Sequence, residues 1–279
     1  MIAHIQQEGE LIMLDFFSYG FVTRALVVGS LVSLCAALLG AILVLKKYSM
    51  IGDGLSHVGF GAITIGAAAN LTPIYFALPM VIISAFVLLK ISSNSKISGD
   101  SAIAIISSSS LAIGIVVCSL SGMNSDLNSY LFGSIIAIGK TDAVFAIVLS
   151  VVIVLSFFIF YNKIFAVTFD EDFAKATGTK SNVYNMIIAV LTALTIVIGM
   201  RVMGTLLISA LIIFPSLTSM RLFKNFRSVI ISSVVVSLVC FFAGMFISFG
   251  FNTPAGATVV IINLILFIIF SIVAKIIRR

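Results

Sequence analysis

The sequence predicts an all-α fold: a polytopic integral membrane bundle of about nine transmembrane helices, forming one domain over residues 1–279. Three observations predict it. The chain is 61% hydrophobic and only 9% charged, where soluble proteins carry about 25% charged residues. Its mean hydropathy is +1.28. Its apolar residues also fall into stretches near the roughly 20 residues that one helix needs to cross a bilayer core. Nine such stretches leave only short loops, a polar tail over 1–19 and no room for a soluble domain.

The segments run over 20–45, 51–69, 73–90, 102–121, 142–161, 183–199, 202–220, 229–249 and 254–274. In the first, Ala25, Gly29, Ser33, Ala37 and Ala41 form a small-residue stripe at four-residue spacing, which lets a neighbouring helix approach closely. Thr72-Pro73 and Thr253-Pro254 place a capping hydroxyl before a proline at the first helical position. Pro215 lies inside the seventh segment and removes a backbone bond to the Leu211 carbonyl, which predicts a kink. A shorter apolar piece, 129–138, is too short to cross and reads as a half-helix or surface helix on the outer side.

The positive-inside rule orients the bundle. With the amino terminus outside and the carboxyl terminus inside, all of the 16 basic residues except Arg24, Lys140 and Arg201 fall on the inner side. Letting 129–138 cross would move Lys163, Lys175 and Lys180 outside, which favours nine spans. Met13 is an alternative start, because the residues before it are polar. No basic secretory signal precedes the first span, so no cleavage is expected.

Several function classes fall away on composition. Cys35, Cys118 and Cys240 each sit in an apolar run without CxxC spacing and read as packing residues. Basic residues are scattered over helix ends rather than gathered into a patch, so nucleic acid is not an expected partner despite the net charge of +6. An intramembrane hydrolase would need a paired aspartate, an HExxH or a second histidine in a span, and the sequence has none of these.

The most informative stretch is Gly52-Asp53-Gly54-Leu55-Ser56-His57. Asp53 and His57 are four apart and share one helix face. A carboxylate oxygen and an imidazole nitrogen placed this way can hold a divalent metal or relay a proton. The structural alternative is an aspartate near Lys46 and Lys47 that ends a loop, with the histidine bonded to a neighbouring helix. Gly54, Gly59, Gly61 and Gly66 around the pair imply close backbone approach or an irregular helix lining a path. Two ligands are too few for tight binding, which suits a transit site from which an ion must leave.

Two further regions carry candidate residues. The inner loop 162–182 contains Asp170, Glu171, Asp172, Phe173, Ala174 and Lys175, and ends at Gly178. Asp170 is positioned to cap a short helix with Phe173 and Ala174 on one face. That helix either lies on the membrane surface or docks a cytoplasmic partner. The segment Gly199 to Ser219 contains Gly204, Ser209, Pro215 and Ser216, residues that line a conduit or glue helices together.

Taken together, these pieces resemble the metal-ion permease family of ABC importers, which takes up zinc, manganese or iron. The resemblance rests on VLKKYSMIGDGLSHVGFG over 44–61, Phe169 to Gly178, Tyr130 to Ser134, Val202 to Ser219 and the NTPAG run over 252–256. It implies a bacterial inner-membrane permease that carries a divalent metal, zinc before manganese, and holds no permanent cofactor. It also implies a second copy of the chain, two cytoplasmic ATPase subunits docked on Asp170, Glu171, Phe173, Ala174 and Gly178, and an extracytoplasmic metal-binding protein. The expected fold is that of the ten-span cobalamin and siderophore permeases with one span fewer. Gly54 departs from the alanine expected there but removes no ligand. The chain has no GxxxxGK[ST], so ATP hydrolysis is assigned to a separate subunit. A proton-coupled secondary transporter is the rival reading, and it needs no ATPase partner.

Overall fold

Every one of the nine apolar segments is a helix in a computed structural model of the chain, which describes residues 20–94, 99–122 and 139–277. The described helices are α1 (Gly20–Leu45), α2 (Ile51–Ala68), α3 (Pro73–Asn94), α4 (Gly99–Leu120), α5 (Lys140–Phe169), α6 (Glu171–Ala176), α7 (Ser181–Met203), α8 (Thr205–Leu222), α9 (Phe226–Phe251) and α10 (Ala255–Ile277). Seven of them are long and apolar enough to cross a membrane by length and composition. The other two long helices, α2 and α3, are the exceptions. In α2 the apolar content is diluted by Asp53, His57 and glycine.

The centre of the bundle is α1, which packs against α5, α7, α8 and α9. Its small-residue stripe is buried throughout, from Ala25 to Ala41. Across that stripe the Ser237 hydroxyl of α9 donates to the Ser33 carbonyl at 3.0 Å. By contrast, α4 and α10 bury only a few of their residues. Cys35, Cys118 and Cys240 are buried thiols outside any disulfide, as packing residues should be.

Contacts between helices fix their directions. Gly40 and Gly52 both lie against Ile212, so the five-residue turn between α1 and α2 reverses the chain. Gly54 meets Ile103 and Gly61 meets Ser110, so α2 and α4 run parallel. Cys35 bonds the Ser150 carbonyl and Lys46 the Val167 carbonyl, so α1 and α5 run parallel as well. The end of α4 and the start of α5 therefore lie at the same end of the bundle. Asp142 of α5 meets Arg201 of α7 there at 2.9 Å. The piece 129–138, the tail 1–19, the run Tyr130 to Ser134, Lys96, Arg278 and Arg279 lie outside the described residues.

Several boundaries move. The fifth helix continues past Lys163 to Phe169, where Phe165 and Phe169 stack with Phe226 of α9. The loop proper therefore begins at Asp170, eight residues after the expected start. The seventh segment begins at Thr205 rather than 202, because Gly204 breaks the chain at φ 85°, ψ 163°. That backbone conformation is essentially restricted to glycine. The eighteen residues of α8 run on through Pro215 as one helix. Pro73 opens α3 as expected, whereas α10 opens at Ala255. The Thr253 hydroxyl meets that of Thr258 at 2.8 Å instead of capping backbone.

Candidate functional site

Asp53 and His57 occupy the first two turns of α2 and form one face with Met50. Oδ2 of Asp53 and Nε2 of His57 are 3.6 Å apart. This is longer than a good hydrogen bond. Two donors bound to one tetrahedral ion at about 2.1 Å each are about 3.4 Å apart, so the pair is set almost at a bridging separation. The side chains are 42% exposed for Asp53 and 19% for His57. They open onto an outer face of the bundle rather than into its interior.

Among the described residues the structural alternative for the pair is not seen. Lys46 turns away from Asp53, toward α5, α6 and α7. His57 Nδ1 is buried and has no hydrogen-bond partner among the described residues. The ring is thus held by packing with its chemistry uncommitted. Among the described residues no third His, Cys, Asp or Glu joins the pair. The glycines around it serve close approach in a regular helix: a Cβ on Gly61 would lie 2.7 Å from the Ser110 carbonyl oxygen.

The inner loop forms the short helix α6, and Asp170 caps it by accepting from the Phe173 amide at 2.8 Å. Its other end is a Schellman turn: Gly178 N–H bonds the Lys175 carbonyl and Thr179 N–H that of Ala174, with Gly178 at φ 80°. Phe173 and Ala174 do not share a face. Ala174 is fully buried, while Phe173 is 65% exposed. The reason is the 100° step between successive helical residues, which turns one toward the bundle and the other out. Glu171 is half-buried between Lys175 at 3.0 Å and Lys46 at 3.6 Å.

Gly204 and Pro215 are both buried in the α7–α8 region. The hydroxyls there bond mostly within the helix, Ser209 to Thr205 and Ser216 to Ile212. Ser219 reaches across to Ser232 of α9 at 3.0 Å. Sequence reasoning did not find Asn185, an amide in the second turn of α7 that bonds both Lys46 and Glu171. Its signal is faint: it is one of two amides, with Asn182, in a mostly apolar helix, and its partners lie far away in sequence.

Residues 18–274 match the model of the ABC 3 transport family. The chain belongs to the ABC 3 transport family. It is a multi-span permease of that family and not an ATPase. It is 32% identical over 247 residues to the high-affinity zinc uptake system membrane protein ZnuB of Haemophilus influenzae, covering 88% of this chain and 94% of that one. It is 28% identical to the manganese import system permease ScaB of Streptococcus gordonii, covering 92% of each. The structure of PsaBC from Streptococcus pneumoniae in complex with Fab superimposes with a TM-score of 0.84. That match is 30% identical and covers 97% of this chain and 95% of the other.

Proposed function

We propose that this ABC 3 family chain is the transmembrane subunit of an ATP-driven importer for divalent metal ions, with zinc as its cargo. The observation that carries the reading is the Asp53–His57 pair, with donors 3.6 Å apart on an open face of α2. One carboxylate and one imidazole suit zinc, and they offer too few bonds to trap it. A second copy presenting the same face would bring four ligands to the axis and leave the ion free to move on. The zinc-uptake relative supports this cargo. The manganese-import relative supports manganese as a second reading, since manganese accepts the same donors.

Two ATPase subunits in the cytoplasm dock on α6 through the exposed Phe173 and the acidic first turn, and an extracytoplasmic protein delivers the metal. The chain lies in the inner membrane with its amino terminus outside and its carboxyl terminus in the cytoplasm, as the basic residues indicate. ATP binding and hydrolysis rock the helices between outward-open and inward-open states.

The test is metal uptake in cells lacking the chain and complemented with Asp53→Asn or His57→Ala. Each variant is expected to lose about tenfold or more of zinc uptake, in line with the loss of a metal-site group. Unchanged uptake in both removes the pair from the mechanism. Rescue by manganese uptake alone selects the second reading.

A further inference from the structure

Lys46 follows the last residue of α1, six residues after Gly40 meets α8, and a freely solvated lysine at this position would simply reach into water. Instead its side chain is 9% exposed. Its Nζ donates to the Asn185 side-chain oxygen at 2.8 Å and to the Val167 carbonyl at 3.1 Å, and lies 3.6 Å from Glu171 Oε2. Asn185 closes the ring by donating from Nδ2 to the same Glu171 oxygen at 3.1 Å. The network joins the end of α1 to the end of α5, the first turn of α6 and the second turn of α7. Burial pulls the Lys46 ammonium below its ordinary value even though Glu171 opposes this. A buried ammonium is costly unless its partners are well placed, so this arrangement is a poor way simply to add stability.

The backbone on either side of Lys46 is stiff. Lys47 N–H bonds the Val44 carbonyl, Tyr48 N–H bonds that of Leu43, and Lys47 sits at φ 61°. These bonds form a Schellman turn at the end of α1. Ile51 N–H then bonds the Tyr48 carbonyl, and α2 begins at once with Ile51 buried. A pull on Lys46 is therefore delivered within a few residues to Asp53.

We infer that Lys46 is a positioning residue that straps α6 to the start of α2, so that movement imposed on α6 reaches the helix carrying Asp53 and His57. The inference rests on the reading of α6 as the ATPase docking helix.

The test uses the full importer in proteoliposomes with Met50→Cys as a reporter on the turn. Met50 is 46% exposed and the three native cysteines are buried. The rate of maleimide labelling is compared with and without ATP. With Lys46 in place, ATP is expected to change the rate. Lys46→Met and Asn185→Leu are expected to lose that change while keeping the ATPase subunits bound and hydrolysing ATP, and Lys46→Arg to retain it. Labelling that ignores ATP with Lys46 present, or still responds to ATP in both Lys46→Met and Asn185→Leu, overturns the strap. Loss of the ATPase from both variants overturns it too, since Lys46 would then be a brace of the docking surface. Metal uptake by the same vesicles separates the two readings: labelling that responds to ATP without uptake rejects the cargo and leaves the strap.

Discussion

At the scale of single residues, the ionisable groups divide by what they touch. Asp53 and His57 face each other and little else, whereas Glu171 is saturated. Burial alone would raise the Glu171 carboxyl, but hydrogen bonds from Lys175 and Asn185 and the Lys46 charge outweigh it and hold the group below its ordinary 4.5. A carboxyl depressed in the folded state stabilises fully above its unfolded value and loses that contribution as pH falls through the folded one. Thermal unfolding in detergent should therefore show Glu171→Gln less stable than the parent at neutral pH. The gap should close as pH drops below about 4.5. A gap unchanged down to strongly acid pH would mean that the carboxylate contributes nothing.

Among the elements, α6 is too short to hold itself together by propensity. Six residues persist because both ends are closed, by Asp170 at the start and the Gly178 turn at the finish. Asp170→Ala removes the side-chain cap at the start of this helix and should cost it about 1 kcal/mol. Hydrogen exchange at the Phe173 amide should accelerate correspondingly, and metal-stimulated ATPase activity of the assembled importer should fall. Protection equal to that of the parent would show that packing of Ala174 alone holds the helix. The glycines of α2 act at this same scale. Gly61 lets α2 and α4 touch backbone to backbone, which places the Asp53–His57 face beside a peripheral helix rather than in the core.

For the whole molecule, the pair on α2 opens outward, and the proposed importer sets a second copy against that face. Asp53→Cys in the assembled importer should cross-link between copies with a short bifunctional maleimide, giving a dimer band in denaturing gels. The buried native cysteines keep the background low. Monomer alone, with the reporter shown to be labelled, would place the two pairs too far apart to share an ion.

Local pattern was enough to specify the helices and the pair. In lipid each backbone group must be satisfied within its own segment, so apolar length translates directly into helices, and i,i+4 spacing places Asp53 with His57 without reference to the rest of the chain. Asp170 was legible for the same reason, since a cap acts within three residues. Local pattern could not show that Lys46 belongs to Val167 and Asn185, 121 and 139 positions away, rather than to nearby Asp53. It also could not show that Phe173 and Ala174 point opposite ways, or that the break before α8 falls at Gly204. Those outcomes depend on which helices meet and how closely. Between helices equally apolar to lipid, close packing and a few buried polar bonds choose the partners, and only the tertiary structure brings those groups together.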